Sequence, residues 1–436
     1  MTSTLTRFTN IRRDELVPAL LAGLFFFCIL TALMLLRPAR DALGMQRGLD
    51  AVRWLFMGTA VVTLLANPVF GWLVSRFRRV PFIAATYGFF AVSLLAFWWL
   101  LTAAPQAVGE TSGMVFYVWF SVFNLFVTML FWALMADRFS LAQSRRLFPP
   151  IAAGGSLGAI FGPWLAGRLV EPLGTPVLLP VAVGFLLLAI GLAAAVAHSR
   201  RTPITGERVP DPLDALVIGG SAWAGIRALF ASRYLAGIAG FVLLMTVMAT
   251  FLYFTRLQMV AALGDDVDMR TGMFARLDFW TQSATLLLQL LLAGQLMKRI
   301  GVGATLVLLP LAMAAGFIGL ALFGSLAVLV LVDAGTRAIQ RGLTRPARET
   351  LYTVLGREDK YKAKAVTDTF VYRAGDVLGA QVEGVLGKLG MGLAGLAAVA
   401  VPLAVLWAGL GLWLGRTQAR MAVTTVDGSG TAEPAE

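Results

Sequence analysis

The chain has 436 residues, 58% of them hydrophobic and only 14% charged, with a mean hydropathy of +0.79. Soluble proteins carry about 25% charged residues, so this composition excludes an ordinary soluble domain and points to a chain that crosses a membrane many times. The formal charge is +12; in a soluble protein that would point to nucleic acid, but here the basic residues read as loop charges that set topology, and no nucleic-acid partner is expected.

A single cysteine, Cys28, and a single histidine, His198, leave no internal disulfide, no zinc cluster and no His-dependent triad. No G-x-x-x-x-G-K-[ST] loop is present either. Neither an enzyme nor a metal or cofactor is expected.

Apolar runs broken by charge predict spans near 15–40, 51–75, 81–101, 112–136, 149–170 and 175–197, then 233–256, 272–297, 301–322, 324–347, 365–387 and 391–415. The fold class is therefore an all-α polytopic membrane protein of about 12 transmembrane helices, each of ~20–25 residues. Lipid satisfies no open backbone, which makes helices the default. Arg7, Arg12 and Arg13 precede the first run, which reads as an uncleaved span rather than a signal peptide. That span closes on "LLRPARDALG" (35–44), which holds Arg37, Arg40 and Asp41. Pro38 removes a backbone donor and is expected to kink or end the helix there.

The fourth span is modestly polar at Tyr117, Asn124 and Thr128. In the fifth, Gly154, Gly158 and Gly162 have the small-xxx-small spacing that lets helices approach closely. Residues 199–232 form the longest polar-leaning connection and read as a cytoplasmic linker between halves 1–198 and 233–416; residues 417–436 read as a disordered tail. The eighth span has a weaker polar set in Arg276, Asp278, Gln282 and Gln289.

The tenth span is the most informative. Asp333, Arg337, Arg341 and Arg345 recur every four residues, along one drifting helix face. An ionisable residue at mid-helix costs roughly 2.5–3.5 kcal/mol on insertion scales, so these groups need a partner or a cavity. An Asp333–Arg337 pair would leave Arg341 and Arg345 either to snorkel or to form a cationic wall. In the eleventh span Asp368, Tyr372 and Asp376 follow at i, i+4 and i+8, with Arg373 beside them. Those acids suit either ion pairs with the tenth span or a proton relay.

Most basic residues sort to one side, among them Arg12, Arg13, "RFRR" (76–79), Arg200, Arg201 and Arg416, which makes both termini cytoplasmic. Arg37, Arg40, Arg47 and Arg53 break that rule by clustering at the outer side. The halves also echo each other: "GWLVSR" (71–76) with "GQLMKR" (294–299), and "AGGSLGA" (153–159) with "AGDVLGA" (374–380). A near-constant offset predicts two parallel six-helix repeats, with sites near mid-membrane.

The six-plus-six repeat and "GWLVSRFRR" resemble the major facilitator superfamily. Four segments, "LRPARDALG", "LFWALMADRFSLAQSRRLFPPIAAGGSLGA", "RPARETLYTVLGREDKYKAKAVTDT" and "YRAGDVLGA", resemble its bacterial and plastid ATP/ADP exchange branch. The resemblance implies an anion read partly by Arg40 and Arg348, with Arg37 and Glu349 in the surrounding words. Exchangers of that branch also carry acids in the fourth and seventh spans. Here "VWFSVFNLF" (118–126) and "VMATFLYF" (247–254) carry none. The resemblance thus implies an anionic solute but not ATP-for-ADP exchange itself.

The leading expectation is a multi-pass transporter in a bacterial inner membrane. It would move a small, phosphorylated organic anion on Arg37, Arg40, Arg337, Arg341, Arg348 and Asn124. Asp41, Asp333, Asp368, Asp376, Glu349 and Arg373 would serve as ion pairs or proton carriers, with a coupling proton or a counter-substrate as partner. The alternatives are a proton-coupled exporter of drugs or cell-wall precursors, and a non-transporting sensor that keeps a transporter fold.

Overall fold

The computed structural model describes residues 12, 15–103, 106–199, 227, 229, 232–292, 296–355 and 363–429. Among them, all regular structure is helical. The chain divides into two compact units: residues 1–208 with 260–282, and residues 209–259 with 283–436. The expected linker lies almost wholly outside the described residues.

In chain order the helices are α1 (Leu16–Gly44), α2 (Leu49–Arg76), α3 (Arg79–Ala103), α4 (Gln106–Arg138), α5 (Leu141–Leu173) and α6 (Leu178–His198). They continue with α7 (Arg233–Ala261), α8 (Val267–Leu292) and α9 (Leu296–Phe323), the last interrupted at Gly301, whose φ of 78° only glycine adopts readily. Then α10 (Leu326–Ile339), a π-turn (Gln340–Thr344) and α11 (Arg345–Leu351) form one helical run. A second π-turn (Thr367–Val371) leads into α12 (Tyr372–Lys388), and α13 (Leu393–Ser429) is the last helix.

Eight helices among the described residues are long and apolar enough to cross a membrane. The predicted spans five, eight, ten and eleven do not meet that measure. Span five is rich in Gly and Pro, and ten and eleven are broken into shorter pieces by the π-turns.

Two local expectations are corrected. Pro38 does not end α1, which runs through it to Gly44, so Arg37, Arg40 and Asp41 occupy the last turns of an unbroken helix. At the far end α13 continues to Ser429, so residues 417–429 are helical where a disordered tail was expected. Residues 417–427 contain no Gly or Pro to stop it. Cys28 is buried in α1, and His198 bonds the Ala194 carbonyl at 2.7 Å in the last turn of α6.

The glycines explain the tightest packing. In the first unit α1 lies along α5. A Cβ on Gly154 would stand 3.0 Å from Gly23 Cα, and one on Gly158 3.1 Å from Phe27 Cα. Gly162 is as close, with Thr31 O at 2.8 Å. In the second unit α12 meets α7 the same way: a Cβ on Gly375 would stand 3.1 Å from Leu243 O, and one on Gly379 3.1 Å from Val247 Cα. The echoed words "AGGSLGA" and "AGDVLGA" therefore do the same work in each unit, each holding its helix backbone against the unit's first helix at corresponding residues.

Overpacking a tight contact costs about 1–3 kcal/mol. Gly158→Leu and Gly379→Leu should each lower the thermal midpoint of the detergent-purified protein. Gly184→Leu, where an added side chain meets open space, should leave it unchanged.

Candidate functional site

In the first unit the polar cluster is built on the end of α1. Arg40 Nε donates to Asp41 Oδ1 at 2.9 Å, and Asp41 is fully buried. The Arg40 guanidinium also lies over two rings of α4, 4.8 Å from the centroid of Tyr117 and 5.2 Å from that of Phe120. Such stacking is worth about 0.5–1 kcal/mol at an exposed site and about 2 kcal/mol or more for a desolvated cation. Arg37 lies 3.9 Å from Asp278 Oδ1 of α8, an acid with no exposed surface. One turn on, Gln282 Nε2 approaches Met34 Sδ at 3.7 Å.

Two further arginines near this end of α1 are paired too. Arg47 lies 3.6 Å from Glu110 and donates to Thr111 Oγ1 at 3.1 Å, while Arg53 binds Asp50. Arg37, Arg40, Arg47 and Arg53 thus each have a carboxylate partner. Asn124 is not part of this cluster. It is exposed one turn beyond Phe120 and makes no hydrogen bond among the described residues.

In the second unit Asp333 is the hub of a buried triad. Arg337 donates to both its oxygens, Nε to Oδ1 at 2.6 Å and Nη2 to Oδ2 at 2.8 Å. Arg256 of α7, 2% exposed, lies 4.0 Å from Oδ2. The Asp333–Arg337 pair was legible from its i, i+4 spacing. Arg256 was not singled out, although an arginine closing an apolar run is a visible signal.

One turn further along the same run is a cavity of about 470 Å³, lined by Met245, Gln340, Arg341, Thr344, Arg345, Arg348, Asp368 and Tyr372. Arg348 Nη2 lies 3.2 Å from Asp368 Oδ1 and 3.9 Å from Glu349 Oε1. Glu349 is also held by Lys364 at 2.5 Å. The Arg348 Nε is buried without a hydrogen-bond partner, and Arg345 has no carboxylate within ion-pair distance among the described residues. Just beyond α11, burial pushes the Tyr352 hydroxyl up to about 12, so it stays neutral.

Both π-turns contribute to this cavity, the first through Gln340, Arg341 and Thr344 and the second through Asp368. In a plain α-helix the four-residue repeat drifts by about 40° per step, carrying Arg345 about 120° from Asp333. A π-turn holds one extra residue and takes back about 100°. It returns Arg345 and Arg348 to within about 40° of the Asp333 face. The turn also opens the helix just before Pro346, whose ring would clash with the carbonyl four residues back.

The predicted face of acids in the eleventh span is divided. Asp368 and Tyr372 line the cavity, but Asp376 accepts from Arg373 of its own helix at 3.0 Å. No group of side chains able to hold a metal occurs among the described residues.

A family model described as the Major Facilitator Superfamily matches residues 19–340. No curated protein matches in sequence. Among solved structures, a variant of the nucleoside transporter NupG is similar at TM-score 0.64 with 13% identity, covering 93% of this chain and 99% of that one. A bacterial homolog of the human lysosomal transporter Spinster, inward-facing and unoccupied, gives 0.59 and 14%, over 94% and 99%. The peptide transporter PepTSo of the POT family gives 0.61 and 13%, over 93% and 98%.

Removing one partner of a buried ion pair costs about 3–5 kcal/mol. Asp333→Ala should destabilise the protein on that scale, read as a lower unfolding midpoint in detergent. Replacing Arg337 by Met in the same chain should recover part of the loss. Additive losses in the double variant would show that the two residues are not coupled.

Proposed function

The chain belongs to the Major Facilitator Superfamily, and we propose that it is a secondary transporter of a phosphorylated, nucleotide-like organic anion. In this reading it has twelve spans in two parallel six-helix halves, 1–198 and 233–416, joined by a cytoplasmic linker at 199–232. Both termini lie in the cytoplasm of a bacterium, and rocking of the halves in the inner membrane alternates access to the solute.

The observation that carries the reading is the second unit's cavity, where Arg341, Arg345 and Arg348 line the wall with a single acid, Asp368. Guanidinium forks take phosphate oxygens in bidentate fashion. Asp368 then acts as the counter-ion that the arriving anion displaces from Arg348. Tyr372 offers a ring face to the organic part. Arg337, which donates to both oxygens of Asp333, positions the arginine-bearing run rather than meeting the solute directly. Arg37 and Arg40 take the anion by releasing Asp278 and Asp41, and Asn124, on the α4 face of Tyr117 and Phe120, extends that path.

The Arg348–Asp368 pair also favours a second reading, coupling to a proton. An Asp368 released from its arginine is free to take up a proton, and Asp376 with Arg373 would form the next station.

Uptake of labelled nucleotides and sugar phosphates into proteoliposomes tests both. Arg345→Ala and Arg348→Ala should each lower uptake at least tenfold while the protein still inserts and stays folded. Wild-type uptake by both variants would overturn the site. Uptake that needs counter-substrate inside the vesicle indicates exchange. Uptake that collapses with the proton gradient, and is lost in Asp368→Asn, indicates proton coupling.

A further inference from the structure

A second charged pocket lies in the first unit, between the end of α5 and the start of α8. It measures about 220 Å³ and is lined by Trp164, Arg168, Glu171, Arg276, Phe279 and Trp280, among others. Thr175, just past α5, fixes the level of the two helix ends. Its N–H donates to Asp268 Oδ1 at 2.7 Å, and its hydroxyl lies 2.9 Å from that of Thr271.

Neither Arg168 nor Arg276 has an ion-pair partner among the described residues, and both are exposed. Each lies one helical turn from an exposed tryptophan of its own helix, Trp164 at 42% and Trp280 at 61%. Arg168 stands 5.9 Å from the Trp164 ring centroid. Tryptophan is enriched at the bilayer interface, where its ring sits at headgroup level, and a neighbouring arginine reaches from there toward water.

The order of the groups along the helices decides the ligand. Moving in from the shared end, α5 presents Glu171, then Arg168 about 4.5 Å deeper, then Trp164 about 6 Å deeper again. On α8, Arg276 is followed by Trp280 about 6 Å further in. The sequence inward is carboxylate, two guanidiniums, two indoles. A phospholipid with an amine headgroup has the same order: ammonium outermost, phosphate beneath it, glycerol and acyl chains below. Two guanidiniums balance the phosphate and Glu171 between them, and the group that Glu171 then selects is a charged N–H donor, which an ethanolamine headgroup has and glycerol and choline headgroups lack. We propose that this pocket binds the phosphoethanolamine headgroup of a membrane lipid. The phosphate lies between Arg168 and Arg276, the ammonium on Glu171, and the upper acyl chains on Trp164 and Trp280. The site is separate from the solute cavity and does not depend on what is transported.

The test is native mass spectrometry of the detergent-purified full chain, offered equal amounts of phosphatidylethanolamine, phosphatidylglycerol and phosphatidylcholine. Wild type should carry phosphatidylethanolamine adducts in clear excess. The Arg168→Gln, Arg276→Gln double variant should lower their occupancy about tenfold. Glu171→Gln should keep lipid binding but bring phosphatidylglycerol level with phosphatidylethanolamine, a change of selectivity that misfolding would not produce. Equal adducts of all three lipids on wild type, or unchanged occupancy and selectivity in the variants, would overturn the proposal. So would displacement of the lipid by soluble O-phosphoethanolamine, because the pocket would then read a free phosphate compound.

Discussion

A guanidinium within a membrane span must be answered by a carboxylate, a ring or a water-filled space, and this requirement organises most of the polar structure here. Arg37 is answered by Asp278, Arg40 by Asp41 and two aromatic faces, and Arg256 with Arg337 by one shared Asp333. On the same helical run a cavity is lined by Arg341, Arg345 and Arg348 together with Asp368. Arg47 and Arg53 are answered in the same way, by Glu110 and Asp50.

Helix contact is governed by a different constraint. Lipid tails are as apolar as leucine, so burial alone does not bring helices together, and small residues that let backbones touch must do so. Gly154 and Gly158 against α1, and Gly375 and Gly379 against α7, meet that need at matching positions in the two units. Between the glycines of the second word, Asp376 stands where the first word has Gly155. The same packing device thus carries a charge in one unit and none in the other.

What could be read from the sequence follows from the range of the forces involved. Span positions, the Asp333–Arg337 pair and the glycine contacts depend on periodicity, short spacing or repetition, all local and visible in the letters. The partners of Arg37 and Arg256 were not visible. Asp278 lies 241 residues from Arg37 and Asp333 lies 77 from Arg256, and only the fold brings them together. The course of α1 through Pro38 was also hidden, because surrounding helices can hold a helix that local propensity would break. The π-turns were not read from the sequence, and the one at Gln340–Thr344 is what keeps Arg345 and Arg348 in phase with the Asp333 face that the four-residue repeat suggests.

That phase has a consequence of its own. Because the π-turn at Gln340–Thr344 is an insertion of one residue into an otherwise α-helical run, the aim of Arg345 and Arg348 depends on a count as much as on chemistry. One residue fewer in that turn would rotate everything after it by about 100°, swinging both arginines off the cavity wall without altering any side chain. A chain can therefore keep every charged residue of this segment and still lose its anion surface through a change of length. In this helix, arithmetic is part of the binding site.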